Sequence, residues 1–543
     1  MSQPRLRDAA AEVVAGRATP FGAIAAFFAL ALAIQWSLPI THDVGWLLVA
    51  TRHMLRGARV YEDDVIEVSP PMILWLFAPA VAASRATGAS EIACLRLWIL
   101  WMVAGSLALC DALMKRALGA RREALRRWAL AALAFAMLIP LRRHFGQREH
   151  LIAILLAPYV VALGVRSTAT HLPSRLAAFC GSLAGLAVAL KPHYALVPAI
   201  LELRNLVQRR SAAFILRPET VALAATAAVY ALAIVAFAPG YLYVVLPLAR
   251  DSYWAYQRSV SALLHPLHLA ALAAAFAAAF RLRADSARAN LARSWWLAAA
   301  AAYLAYLLQQ KGWPYHLIVF DTAIVACFAL SLVPDPLPRA QSVMRAAPTA
   351  LFGAVLAAAL TLALPVGASE ALRTGRVWRR GLSTGMIGSL VRSIRENGSG
   401  GPVVFLSTRM EWGFPAVNYA GVDWSLRFSC LWPLAAVIRG QATGEGPPRI
   451  RLRELERYVV ESLVADFERA PPRLVFVDTR EAYGSPGVAV DLIAMLNRHP
   501  DFARVWADFE FLRPLGPYGV WLRRELKRPE PADRPLGYGR AGR

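Results

Sequence analysis

Apolar runs of about 20 residues, rich in Ala, Leu, Val and Phe, recur along most of this 543-residue chain, and each matches a hydrocarbon layer of roughly 30 Å at 1.5 Å of rise per residue. Backbone groups in lipid must bond within their own segment, so such runs are read as helices. The chain is 57% hydrophobic and 17% charged, which sets it among polytopic α-helical membrane proteins. A formal net charge of +23 raises the question of nucleic acid. The Lys and Arg concentrate in short loops between apolar runs, where they orient helices, and nucleic-acid binding is rejected. Cys94, Cys110, Cys180, Cys327 and Cys430 show no paired spacing, so neither a zinc site nor a disulfide framework is implied. The first run, 21–40, follows a basic start with no small-residue cleavage site after it, and is expected to be an uncleaved anchor.

Charge bias orients the spans. Basic clusters fall at Arg5/Arg7/Arg17, at Lys115 to Arg127, at Arg166/Arg175, at Arg209/Arg210/Arg217, at Arg281 to Arg293 and at Arg339/Arg345. If all face the cytoplasm, an even number of crossings separates each from the next. The run "PMILWLFAPAVAAS", 71–84, is too short for a comfortable span and is placed as an interfacial or re-entrant helix on the outer side. The expected spans are then 21–40, 92–113, 128–141, 150–166, 174–190, 193–206, 219–238, 260–280, 294–309, 316–333 and 347–366, about 11 in all. Residues 1–20 are cytoplasmic in this scheme, 21–366 form the transmembrane domain and 41–91 its first outer loop, in an integral plasma (inner) membrane protein.

From about residue 370 the pattern changes. "GPVVFLS" and "PRLVFVDT" read as short buried strands, while "GMIGSLVRSIRENG" and "VAVDLIAMLNRHP" have helical apolar spacing. A C-terminal extracytoplasmic α/β domain over 370–525 is expected, followed by a disordered tail over 526–543.

By this topology Asp43, Asp63, Asp64, Glu67, Arg148, Glu149, Lys191, Asp251, Lys311 and His316 all lie at outer membrane ends or in outer loops. Such an accumulation at membrane depth points to a wet cavity. The order of a span, Asp43 at its outer end, "WLLVATRHMLRGARVYEDD" and then "SPPMILWLFAPAVAASRATGASEIACLRL" resembles the first external loop of GT-C glycosyltransferases that use polyprenyl-linked sugars, nearest the protein mannosyltransferase and aminoarabinose transferase branch. The matching positions are Asp43, Pro70/Pro71 and Gly88/Glu91/Arg96, with Glu149 in "FGQREHLIAILL" where a second acid is expected. "LAVALKPHYALVPAI" and "KGWPYHLIVF" are similar to later elements of such proteins. Two positions depart from the pattern: Asp43 is followed by Val44 where an acidic pair is common, and Ser69 stands where a basic residue often precedes the diproline. The resemblance implies a GT-C-like fold and a hexosyl- or pentosyltransferase that moves a sugar from a polyprenyl-phosphate donor to an extracytoplasmic glycan, lipid or protein. A glycolipid transporter or flippase and a noncatalytic envelope assembly protein are the alternatives.

That chemistry needs a base for the acceptor proton and cations for the departing phosphate. Asp43 is the expected base, against a role as helix N-cap in "THDVGW". Glu149 is a second catalytic acid, against a plain pair with Arg148. Arg148, Lys191 and Lys311 are donor phosphate ligands, against snorkelling at helix ends. Asp63, Asp64, Glu67 and His316 are substrate-binding candidates, and for His316 and His193 interfacial packing is the competing reading. Glu62, Asp63, Asp64 and Glu67 offer oxygen ligands for a possible divalent cation, against a solvated face, although their spacing matches no recognised metal loop.

Overall fold

The computed structural model describes residues 4–168, 171–209, 216–283, 286–333, 385–398, 401–485 and 487–524, with side chains from residue 20 onward. The expected span 347–366 and tail 526–543 lie outside the described residues. The chain forms two compact units, Met1–Thr384 and Gly385–Arg543.

The first unit is a helical bundle. Its helices are α1 (Pro4–Ser37), α2 (His42–Leu55), α3 (Met72–Thr87), α4 (Glu91–Leu118), α5 (Glu123–Leu138), α6 (Arg148–Arg166) and α7 (Ser174–Leu190). They are followed by α8 (Leu196–Arg209), α9 (Pro218–Phe237), α10 (Leu246–Ser252), α11 (Val260–Leu263), α12 (Pro266–Phe280), α13 (Ala287–Gln309) and α14 (Ile318–Leu332). Six stretches among the described residues are long and apolar enough to cross a membrane: Pro20–Ser37, α4, α6, α9, α13 and Pro314–Leu332. The expected spans at α5, α7 and α8 are shorter helices of 16, 17 and 14 residues. The expected span 260–280 is broken. Pro266 has no amide hydrogen to continue a helix from 260, so α11 stops after four residues and α12 begins at the proline.

Helix α6 is the centre of the unit. Every residue from Arg148 to Val165 is buried, beneath α4, α7 and α13. By contrast α9 shows Val221, Val229, Leu232, Val235 and Phe237 at its surface, as a lipid-facing helix does. It is clamped to α7 along a seam of small residues. A Cβ added at Gly181 would run into the Glu219 carbonyl, and one at Gly185 would lie 2.6 Å from Thr226 Cβ, so only glycine admits this approach. The loop helices are tied by charge. Arg52 of α2 forks onto Glu91 of α4 at 2.9 and 2.8 Å, and Arg85 at the end of α3 caps the Arg52 and Leu55 carbonyls.

The second unit contains a four-stranded sheet in the order β1 (Val403–Leu406), β3 (Leu474–Asp478), β5 (Tyr518–Arg523), β4 (Phe509–Leu515); a two-residue strand, β2 (Glu411–Trp412), stands apart from it. β1 and β3 are parallel and β5 is antiparallel to both its neighbours. The two sequence runs read as buried strands are β1 and β3, and Gly385–Asn397 is helical as its spacing implies. "VAVDLIAMLNRHP" differs: Asp491 accepts the Ala494 N–H at 2.9 Å and so starts the helix there, leaving only Leu492–Leu496.

Candidate active site

The entry to α6 reads Gln147-Arg148-Glu149, three polar residues opening a fully buried helix. An acid in the first turn is favoured by the partial positive charge of the helix N-terminus. Gly146, at φ 87°, turns the chain into this helix; a Cβ there would sit 3.0 Å from Ile99 Cδ1, so the turn needs glycine and sets Gln147 against α2.

Gln147 Nε2 donates to Asp43 Oδ2 at 2.8 Å and to Thr41 Oγ1 at 3.2 Å. Asp43 does not cap α2. That role belongs to Thr41, whose side chain accepts from the Val44 amide, and Asp43 stands in the first turn with its side chain 18% exposed. Burial alone would push the Asp43 carboxyl up, but His42, Arg148, the Gln147 hydrogen bond and Lys191 outweigh it and hold the group below its ordinary value.

Glu149 is wholly buried and pairs through Oε1 with Lys191, not with Arg148. Lys191, in the turn after α7, also donates to Gln309 Oε1 at 2.9 Å and lies 3.0 Å from His316 Nε2, which is itself 3.4 Å from Glu149 Oε1. Burial is the main cause that lowers the Lys191 ammonium to about 8, with Glu149 opposing and Arg148 reinforcing the shift. The Tyr194 hydroxyl donates to the His316 carbonyl at 2.9 Å and locks the two turns together. Arg148 turns the other way and donates to Ser69, the residue before the diproline. Gln147 Oε1, Arg148 Nε, Glu149 Oε2 and His316 Nδ1 are all buried with no hydrogen-bond partner among the described residues. Each such atom costs about 1–3 kcal/mol. Four in one place mark a site built for something other than stability.

The remaining candidates are set apart. Lys311 donates to the Tyr253 carbonyl at 2.6 Å, with its ammonium 5.2 Å from that residue's ring centroid, and burial and then Lys191 lower it to about 8. His193 is exposed. Glu67 is buried and used inside the loop: Oε2 accepts Trp46 Nε1 at 2.5 Å and Oε1 accepts the Ser69 amide at 2.7 Å. Asp63 pairs with Arg59 at 2.8 Å, and Asp64 accepts the Arg59 amide at 2.8 Å. The four loop acids therefore do not converge, and no group of three or more His, Cys, Asp or Glu arranged to hold a metal occurs among the described residues. Gln147, Gln309, Ser69 and Thr41 were absent from the sequence reading. The polar pair Gln309-Gln310 at the end of an apolar run and Gln147 beside Arg148-Glu149 were the available signals.

No protein-family model matches the sequence, and no curated protein matches it. Among solved structures, ArnT from Cupriavidus metallidurans bound to undecaprenyl phosphate is similar with TM-score 0.55 and 16% identity, covering 92% of this chain and 98% of that one. ArnT from the same organism in the apo state is similar with TM-score 0.56 and 16% identity, covering 94% and 99%. The likeness establishes the fold of this chain as the GT-C one of ArnT.

Proposed function

We propose that the protein is a membrane glycosyltransferase that moves a sugar from a polyprenyl-phosphate donor to an extracytoplasmic acceptor, with the reaction at the Asp43–Glu149–Lys191 end of the bundle. The observation that carries this reading is the half-buried Asp43 beside a buried set of ionic groups whose hydrogen-bonding capacity is left open. The undecaprenyl phosphate bound to ArnT, a protein of the same fold, agrees with it.

In this reading the acceptor hydroxyl oxygen attacks the anomeric carbon and its proton passes to the Asp43 carboxylate. The bond from that carbon to the polyprenyl phosphate breaks, and the phosphate leaves with the electron pair. Lys191 and the free Nε of Arg148 meet the charge that develops on it, as charge-assisted bonds from fixed cations do in a water-poor site. Lys311 stands further out as a second cation. Glu149 holds Lys191 in place and offers Oε2 to a sugar hydroxyl, and His316 does so from the opposite turn. Sequence reasoning asked for a raised proton affinity at Asp43, whereas its neighbours depress it. A bound donor phosphate neutralises the cations responsible, so the base strengthens when the donor arrives. The surface acids Asp63 and Asp64 lie at the rim of the loop, where an acceptor is met first.

The protein in liposomes, supplied with a panel of polyprenyl-phosphate sugars and candidate acceptors, releases free polyprenyl phosphate from at least one donor. A panel that yields no release and no transfer defeats the proposal. Protein that carries an intact donor across the bilayer instead is a flippase.

A further inference from the structure

The second unit carries its own polar cleft, at the carboxyl ends of its two parallel strands. In open α/β sheets this is where ligands bind, because the chain leaves adjacent parallel strands in loops that splay apart. Here β1 runs out into Ser407, Thr408 and Arg409, β3 ends at Asp478 and runs out into Arg480, and Tyr518 opens β5 directly opposite Asp478.

The groups at this edge are fixed before any ligand arrives. Ser407 Oγ donates to Asp478 Oδ2 at 2.6 Å, and Arg480 forks onto the same carboxylate at 2.9 and 2.7 Å. The Arg480 guanidinium lies 4.6 Å from the Trp412 ring centroid and 5.6 Å from that of Tyr518. Trp412 is half-buried and held at φ 67°, an outlier for so bulky a residue and the kind of backbone strain found at ligand clamps. Arg409 lies 5.0 Å from the Tyr483 ring centroid, and the Tyr483 amide donates to Thr408 Oγ1 at 2.9 Å. Two atoms here remain open: Arg409 Nε and the Oγ of Ser485, a residue only 4% exposed, have no hydrogen-bond partner among the described residues. Thr408, Asp478, Arg480, Ala482, Val490 and Leu492 line a cleft of about 190 Å³, three polar and three apolar.

We propose that this cleft binds a neutral carbohydrate. The acids Asp478 and Glu411 balance the guanidiniums of Arg480 and Arg409, so the edge presents no net charge to draw an anion. A fork of carboxylate and guanidinium with spare donors suits neighbouring hydroxyls, and guanidinium-backed aromatic rings beside an apolar wall suit the C–H face of a sugar ring. Binding here does not require that the first unit transfer sugars.

The test uses the full chain in lipid nanodiscs, free of sugar-headed detergent. Neutral glucosyl, mannosyl and galactosyl oligosaccharides are the probes, inorganic phosphate is the anionic probe, and the readouts are saturation-transfer NMR and calorimetry. At least one oligosaccharide binds the parent, and Trp412→Ala weakens it about fivefold to tenfold by removing the ring. Arg409→Ala, at a half-buried position on the loop, weakens binding with the thermal unfolding midpoint unchanged, which separates a lost contact from a lost fold. Failure of every oligosaccharide to bind overturns the proposal. So does binding unchanged in both variants, which places it elsewhere, and so does displacement of the oligosaccharide by phosphate, which makes the cleft an anion site.

Discussion

Glu149 and Glu219 occupy the same place in their helices, second residue of α6 and second residue of α9, and both are wholly buried. Their surroundings differ in one respect. Glu219 lies where the end of α6 meets the starts of α9 and its preceding loop: both its oxygens accept from Arg166, at 3.0 and 3.2 Å, and Arg217 adds a contact at 3.0 Å. Glu202 beside it is used as fully, by Arg217, by Tyr159 at 2.6 Å and by Thr220 at 2.8 Å. At the opposite end of the bundle Glu149 has one oxygen filled and one empty. A buried carboxylate with every lone pair used staples helices; one with a lone pair kept open awaits a partner from outside.

That contrast is breakable. The largest effect is expected at the stapled end. Glu219→Ala leaves Arg166 and Arg217 facing each other, and breaking a buried pair this way lowers stability by about 3–5 kcal/mol. Denaturation in detergent reads this loss, while sugar transfer per folded molecule stays near the parent's. A variant that kept its stability and lost transfer would show the two ends to be alike.

Next comes Asp43→Asn, which keeps the side-chain shape and removes the charge. Sugar transfer falls by about two orders of magnitude or more if Asp43 is the general base, with thermal stability close to the parent because Thr41 carries the helix cap. Undiminished transfer would remove Asp43 from the mechanism and shift attention to Glu149.

The smallest expected effect sharpens the comparison through pH. Lys191 is lowered from its ordinary 10.5 to about 8 in the folded protein. The unfolded chain therefore binds more protons between those values. The contribution of this group to stability is full above 10.5 and is lost as the pH falls through about 8. Its usefulness as a phosphate cation runs the opposite way and is lost as the pH rises through about 8. The kcat/KM profile, which reports the free enzyme, declines by about tenfold per unit above that point. In Lys191→Arg, whose guanidinium stays charged, this alkaline limb disappears. A limb that persists in the Arg variant belongs to another group, Lys311 being the first to examine.

Apolar length exposed the bundle because lipid demands helices and tolerates few charges within them. The same rule made Asp43, Arg148, Glu149, Lys191 and His316 conspicuous: charge at the end of an apolar run is expensive and easily noticed. What stayed hidden were partners without charge and pairings across the chain. Gln147 and Gln309 carry no more local signal than any polar residue at a helix end, and the pairing of Glu149 with Lys191, 42 residues away, in preference to its neighbour Arg148 depends on how α6 and α7 pack. The loop acids misled for the opposite reason. Four acids close in sequence look like one site, but the turn at Tyr61, held at φ 75°, sends Glu67 inward and leaves Asp63 and Asp64 on Arg59.

The glycine seam between α7 and α9 has a mechanical consequence. With Gly181 and Gly185 pressed against the backbone and side chain of α9, the two helices move as one blade, and Lys191 sits one residue beyond the tip of that blade. The 20 residues of α9, most of them against lipid, give that blade a hydrophobic length of roughly 30 Å. A thinner or thicker bilayer relieves the mismatch by tilting it, at a small energetic cost per ångström. Tilt displaces the cation from Glu149, so the rate of transfer passes through a maximum as acyl chain length is varied in liposomes of otherwise fixed composition. A rate indifferent to chain length would mean that the blade flexes at the seam.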